Sequence, residues 1–226
     1  YLPPMPHVVK ILRSTFITPN VKRFEVERPK GYRYVPGQAC EVAINAEGWT
    51  DKRRPFTFTS LPTARKLEFI IKIYDDHDGV TKQLGLLRAG DELILHEPFG
   101  AITYQGPGYF IAGGTGITPF IAILRQLHKE ERVKGNTLLV SNRTVSDLIL
   151  DDEMLYLVGE KHYLRIFSRQ GVIGFRERHI DRDLLVALVQ DFDQHFYVCG
   201  PKGFVNDINT ILLSLGVDAQ LLVFEK

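Results

Sequence analysis

Cysteine is almost missing from this chain: Cys40 and Cys199 are the only two in 226 residues. Two thiols are too few for a disulfide framework or a cysteine-ligated iron–sulfur cluster, which makes a reducing cytoplasm the expected setting. Long apolar runs are missing as well. None approaches the ~20 residues of a membrane span, and no basic start with an apolar core marks a secretion signal. Nor is there an excess of one charge: 28 Lys and Arg stand against 27 Asp and Glu, a formal net charge of +1. With no arginine-rich tract besides, nucleic acid is not an expected partner. The histidines His77, His128, His162, His179 and His195 are scattered without ligand spacing, so no metal site is expected.

What the chain does hold is two stretches of different rhythm. Up to about Pro98 the runs are short and β-like: Val8–Leu12, Val21–Glu27, Ala39–Ile44, Phe56–Thr59, Leu67–Tyr74 and Glu92–His96. Gly, Pro, Asn and Asp clusters punctuate them, and this spacing predicts a six-stranded antiparallel barrel. One helical pattern, Val80 to Leu87, opens just after Gly79. From Gly108 onward, apolar strands end at Ala112, Ser141, Ser168, Cys199 and Phe224. Helical patterns at Pro119–Glu131, Asp147–Val158, Asp181–Gln190 and Pro201–Leu215 separate them. Such alternation predicts a five-stranded doubly wound parallel sheet. The boundary is expected in the Gly/Pro stretch Phe99–Gly108, giving one domain over 1–103 and another over 104–226.

Ligands of doubly wound sheets bind beyond the carboxyl ends of the strands. The glycine and polar clusters of the second half fall there: Gly113–Thr118, Asn142–Thr144, Ser168-Arg169 and Cys199-Gly200-Pro201. The first of these is the most telling. Tyr109–Ala112 breaks into Gly113-Gly114-Thr115-Gly116-Ile117-Thr118-Pro119 and restarts as a helix. Glycines let the backbone approach a bulky anion, and a helix start offers unpaired N–H groups; Thr118 is the expected cap and Pro119 the first helical residue. A purely structural turn has the same appearance. The loop is not a P-loop, since no Lys-Ser/Thr follows, and Pro119 stands where the usual dinucleotide fingerprint has a third glycine. In the first half, Arg53-Arg54-Pro55-Phe56-Thr57 alternates charge, ring and hydroxyl at a strand opening. That pattern suits a flat, charged ligand, and equally an ordinary strand with exposed arginines.

Taken in order, these segments resemble the ferredoxin–NADP reductase family of flavoproteins across essentially the whole chain. Arg54-Pro55-Phe56-Thr57 is similar to the family's Arg-x-Tyr-Ser/Thr flavin motif, with Phe56 in place of the tyrosine. Gly79-Val80-Thr81 resembles the flavin pyrophosphate segment, Gly113–Pro119 the nicotinamide-dinucleotide loop, and Cys199-Gly200-Pro201 the motif beside the nicotinamide. The resemblance implies FAD and a nicotinamide dinucleotide as cofactors. It assigns Arg54 and Thr81, with the amides around Val80, to the flavin pyrophosphate, and Phe56 to the flavin face. Thr57 falls near the reactive N5, and the Ile71-Lys72-Ile73 main chain along the flavin. Gly114, Thr115, Gly116, Thr118 and Pro119 would hold the dinucleotide; Cys199, Gly200 and Pro201 would face the nicotinamide. Thr57 and Cys199 are thereby the residues closest to the chemistry. Phe224 is either an aromatic cover over the flavin or part of the last core strand.

NADPH is expected over NADH, because Arg143 and Arg169 with Ser168 stand where a ribose 2′-phosphate would sit and no acidic residue opposes it. The implied reaction is hydride transfer to the flavin at the meeting of two domains, then single-electron delivery to a separate protein. Residues 1–54 carry ten Lys/Arg against five Asp/Glu, whereas 107–226 carry thirteen against fifteen. An acidic carrier such as flavodoxin or ferredoxin is the expected acceptor, with Lys52 and Arg53 as contacts. Two other readings stand beside this one: the reductase component of an oxygenase or a free-flavin reductase, and a non-enzymatic electron-transfer subunit that keeps the flavin but not nicotinamide turnover.

Overall fold

In the computed structural model, which describes residues 5–100, 102–169 and 178–224, the β-rich first stretch and the alternating second one form separate compact units, residues 1–101 and 102–226. Ala101, inside the expected boundary, lies outside the described residues.

The first unit holds six strands: β1 (His7–Thr18), β2 (Val21–Glu27), β3 (Ala39–Ile44), β4 (Arg54–Thr57), β5 (Lys66–Lys72) and β6 (Glu92–Phe99). All pair antiparallel in the order β4-β3-β6-β1-β2-β5. Just past β4, Phe58 bridges to Phe69 of the other end strand, β5, and this closes the sheet into a barrel. Alternation drives this closure. Phe24, Val26, Phe58, Leu67, Phe69, Ile71 and Leu93 turn inward to form one buried cluster, and each such side chain contributes about 1.5–3 kcal/mol on burial. The lone helix α1 (Val80–Leu86) packs Val80 and Leu84 into that cluster.

The second unit is a parallel sheet of β7 (Gly108–Gly113), β8 (Thr137–Asn142), β9 (Tyr163–Phe167), β10 (His195–Cys199) and β11 (Leu222–Phe224), in the order β11-β10-β7-β8-β9. The crossovers are α2 (Thr118–Lys129), α3 (Asp151–Val158), α4 (Arg182–Leu188) and α5 (Lys202–Ser214). Successive β7 residues face opposite sides. Tyr109 and Ile111 join the cluster packed by α4 and α5, while Phe110 meets Phe120 of α2 edge-on at 5.2 Å. Phe224 is half-buried against the α4/α5 cluster and pairs with Val198, so it belongs to the last core strand. Chain order runs outward from β7 to β9 and then returns to β10 on the other side of β7. The switch point therefore lies between the carboxyl ends of β7 and β10.

No helix of the described residues is long and apolar enough to cross a membrane, and no group of three metal-ligating side chains occurs among them. Neither cysteine is in a disulfide.

Candidate cofactor and nucleotide sites

At the switch point the glycine loop and the Cys199 motif are physically interlocked. A Cβ on Gly116 would overlap the backbone carbonyl of Cys199 and lie 2.6 Å from the Gly200 nitrogen. Gly113 and Gly200 both lie against the Phe204 ring of α5, where an added Cβ would come within 2.9 Å. Those three positions need glycine because two backbones and a ring share the space. Gly114 differs: its φ is +54°, and an added Cβ would meet nothing within 4 Å. Its glycine serves the turn and leaves one side open, which is the space a pyrophosphate requires.

Gly114–Ile117 form a 3-10 turn that runs directly into α2. Thr118 is therefore not the cap. Ile117 holds the N-cap position in helical conformation, and the Thr118 hydroxyl donates to the Thr115 carbonyl at 3.0 Å. Pro119 is the second residue of α2 rather than the first. Winding begins at the glycines, so the leading amides, which no side chain caps, belong to Gly114, Thr115 and Gly116. Pro201 is the extended N-cap of α5, again without a side-chain cap. Cys199 is half-buried beside them.

Arg143 and Arg169 come together at the far side of the sheet. The Arg169 N–H donates to the Arg143 carbonyl at 3.1 Å and the Ser168 N–H to Asn142 at 3.0 Å. Both arginine side chains are exposed, and no carboxylate among the described residues pairs with either. The nearest acid in sequence, Asp147, is engaged by Thr144, whose N–H and hydroxyl donate to it at 2.9 and 2.8 Å. In the row of strand termini, β7 lies between the Cys199 motif after β10 and the arginine pair at the β8 and β9 ends.

In the first unit, β4 is an end strand. Arg54 is exposed and its guanidinium donates to the Arg53 carbonyl at 2.7 Å; Pro55 is exposed, while Phe56 and Thr57 are half-buried and Phe56 packs on the barrel core. Toward Lys72, beyond the Phe58–Phe69 bridge, no main-chain bond among the described residues joins β5 to β4. Thr59 N–H donates to the Glu68 carbonyl at 2.9 Å, whereas Ile73 N–H donates toward β2, to Asn20, at 2.8 Å. By strand alternation, Lys72 presents its main-chain groups on the Glu68 side, and Ile71 turns its own toward β2. Gly79 is the extended N-cap of α1, with no side-chain cap; Val80 is buried and Thr81 half-exposed. Gly85 brings α1 against Ile73, where an added Cβ would come within 2.8 Å of the side chain. At the other end of α1 the buried Lys22 amine donates to Gly85 and Leu87 carbonyls at 2.9 and 2.6 Å, and burial followed by the Arg88 charge holds its pKa down. Phe204, Lys22 and Glu68 had no motif to mark them; only the Pro-x-x-Phe spacing after Cys199-Gly200 hinted at the first.

Known proteins divide the chain in the same way. Residues 8–104 match the oxidoreductase FAD-binding domain and residues 110–210 the oxidoreductase NAD-binding domain. The chain belongs to the ferredoxin–NADP reductase-like family of flavoprotein oxidoreductases. Within this family, NADH-cytochrome b5 reductase 1 of Ajellomyces capsulatus is 29% identical over 95% of this chain and 76% of its own length. The reductase component of propane 2-monooxygenase from Rhodococcus jostii is 27% identical over 95% of this chain but only 62% of its own. In fold, the chain is similar to the FAD/NAD-binding domain of nitric oxide dioxygenase from Vibrio cholerae, with a TM-score of 0.85, 23% identity and 98% of both chains covered. A ferredoxin NADP+ reductase from Neisseria gonorrhoeae with bound FAD and NADP gives 0.83, 21% and 98% of both.

Proposed function

We propose that this flavoprotein oxidoreductase passes electrons from NADPH through FAD to a separate, acidic one-electron carrier protein such as flavodoxin or ferredoxin, in a reducing cytoplasm. The interlock of the Gly113–Thr118 loop with Cys199-Gly200 at the switch point carries the reading. It leaves Gly114 open for a pyrophosphate and Cys199, a small polarizable side chain, as the spacer against a nicotinamide ring. When bound, FAD supplies the conversion of a two-electron hydride donor into single electrons. The chain's own residues bind and orient. Arg54 offers a fixed, always-charged fork to the flavin pyrophosphate, with Thr81 and the Val80 amide completing the cradle. Phe56 packs on the flavin face, Thr57 hydrogen-bonds near N5, and the Lys72 main chain lines the flavin edge.

Preference for NADPH rests on Arg143 and Arg169, two exposed arginines whose main chains are hydrogen-bonded to each other. The acidic carrier rests on the basic surplus of residues 1–54, with Lys52 (its amine 4.2 Å from the centre of the Trp49 ring) and Arg53 as contacts. A second reading, the reductase component of an oxygenase, is favoured by similarity to the propane 2-monooxygenase component and to the electron transfer component of anthranilate 1,2-dioxygenase from Acinetobacter baylyi. Steady-state NADPH oxidation with flavodoxin, ferredoxin, an oxygenase component or free flavin as acceptor separates them. Turnover that saturates with a flavodoxin or ferredoxin and weakens at high salt is expected; turnover needing only free flavin would refute the carrier.

A further inference from the structure

Because Phe58, the residue after Thr57, bridges to Phe69 of β5, whatever fixes that bridge fixes the end of β4 that carries Thr57. We infer that Glu68, acting through Thr59, is a positioning residue for the flavin-facing strand, a role that rests on the proposed binding of FAD there. Glu68 lies on β5 and is only 6% exposed. Its Oε1 accepts the hydroxyl of the fully buried Thr59 at 2.7 Å, two residues past Thr57. Its Oε2 accepts Arg23 Nε from β2 at 2.7 Å and forms an ion pair with the same guanidinium. Its backbone N–H donates to the Ser60 hydroxyl at 3.0 Å, and that hydroxyl lies 2.8 Å from the buried Tyr34 hydroxyl. One buried acid therefore ties β2, β5 and the segment leaving β4 together.

An apolar seam would hold the barrel as well. Phe58 and Phe69 are fully buried there, and replacing a buried ion pair with packed apolar groups is often neutral or stabilising. What a carboxylate adds is register. A slip of one residue would turn Thr57 to the other face and strand a buried charge. The seam thus discriminates among alignments that packing alone tolerates.

The test uses the whole protein in three variants: Thr59→Val, Thr59→Ser and Glu68→Gln. Their FAD dissociation constants are read from the fluorescence of released flavin, along with the visible flavin spectrum and the anaerobic rate of flavin reduction at saturating NADPH. Thr59→Val and Glu68→Gln should each weaken FAD binding roughly tenfold, the worth of one hydrogen bond to a charged group, with a changed flavin spectrum. Thr59→Ser, which keeps the hydroxyl, should match wild type. A Thr59→Val protein with wild-type FAD affinity and spectrum overturns the inference, and so does a Thr59→Ser protein as impaired as Thr59→Val. If Glu68→Gln does not fold, the Val/Ser comparison decides alone. Wild-type protein that does not bind FAD overturns the proposed function together with this inference, whereas normal wild-type binding with unaffected variants overturns this inference only.

Discussion

Cys40 and Cys199 carry the same thiol into different surroundings. Cys40 is fully buried in the barrel, and burial pushes its pKa up to about 12 against the lowering contribution of Tyr32. Its thiolate is scarce at any ordinary pH, so it is chemically inert. Cys199 sits half-exposed at the switch point. Alkylation of the native protein at mildly alkaline pH should modify Cys199 first and Cys40 only after unfolding, and NADP+ should slow the first step; mass spectrometry of labelled peptides checks this. Labelling of Cys40 ahead of Cys199 would contradict the burial assigned to both. The arginines allow a sharper test. Arg169→Ala should raise the KM for NADPH roughly tenfold, the loss of a charge-assisted contact, while leaving that for NADH nearly unchanged. Equal effects on both nucleotides would remove Arg169 from the 2′-phosphate.

The glycine loop makes opposite demands at neighbouring positions. Gly116→Ala drives a methyl into the Cys199–Gly200 backbone, which has no rotamer with which to yield; a cost at or above the usual 1–3 kcal/mol of overpacking is expected, with loss of nucleotide binding. Gly114→Ala meets no atoms and pays only for a left-handed φ, about 1–2 kcal/mol. Thermal melts and NADP+ titrations of the two variants should separate them, and the reverse order of severity would contradict the interlock. Both costs were hidden in the sequence, where the loop's three glycines look alike. Uninterrupted elements were legible: β2 follows the alternation of Phe24 and Val26 with polar neighbours, and β3 is a short apolar run, buried except at Glu41. Where the chain breaks its own period, reading failed. β1 runs on to Thr18 through two register shifts, which scramble its alternation after Ile11. The single helix expected from Asp147 is a 3-10 turn and then α3, because Leu150 between them adopts a left-handed φ of 52°. Thr118 failed as a cap for a related reason, since winding had already begun at the glycines.

At the scale of the whole chain, the change from short alternating runs to strand–helix repeats was enough to anticipate two units and their sheets, because each layer architecture demands its own period. The bridge that closes the barrel, the Glu68–Arg23–Thr59 contacts and the Phe204 ring were beyond reach. Each joins residues far apart in sequence or lacking any motif, and only the folded chain brings them together. The two halves of the proposed function can be mapped in one experiment. In hydrogen exchange, FAD should protect peptides spanning 54–57, 71–73 and 79–81, and NADP+ those spanning 113–119 and 199–201; protection confined to one unit by both ligands would contradict the division of labour. Most direct is anaerobic titration of the FAD-loaded protein with NADPH, following the yellow flavin band. Stoichiometric bleaching, faster with NADPH than with NADH, is the predicted result. A flavin that stays oxidised in excess of both nucleotides would contradict the claim that this chain moves electrons from a nicotinamide to FAD.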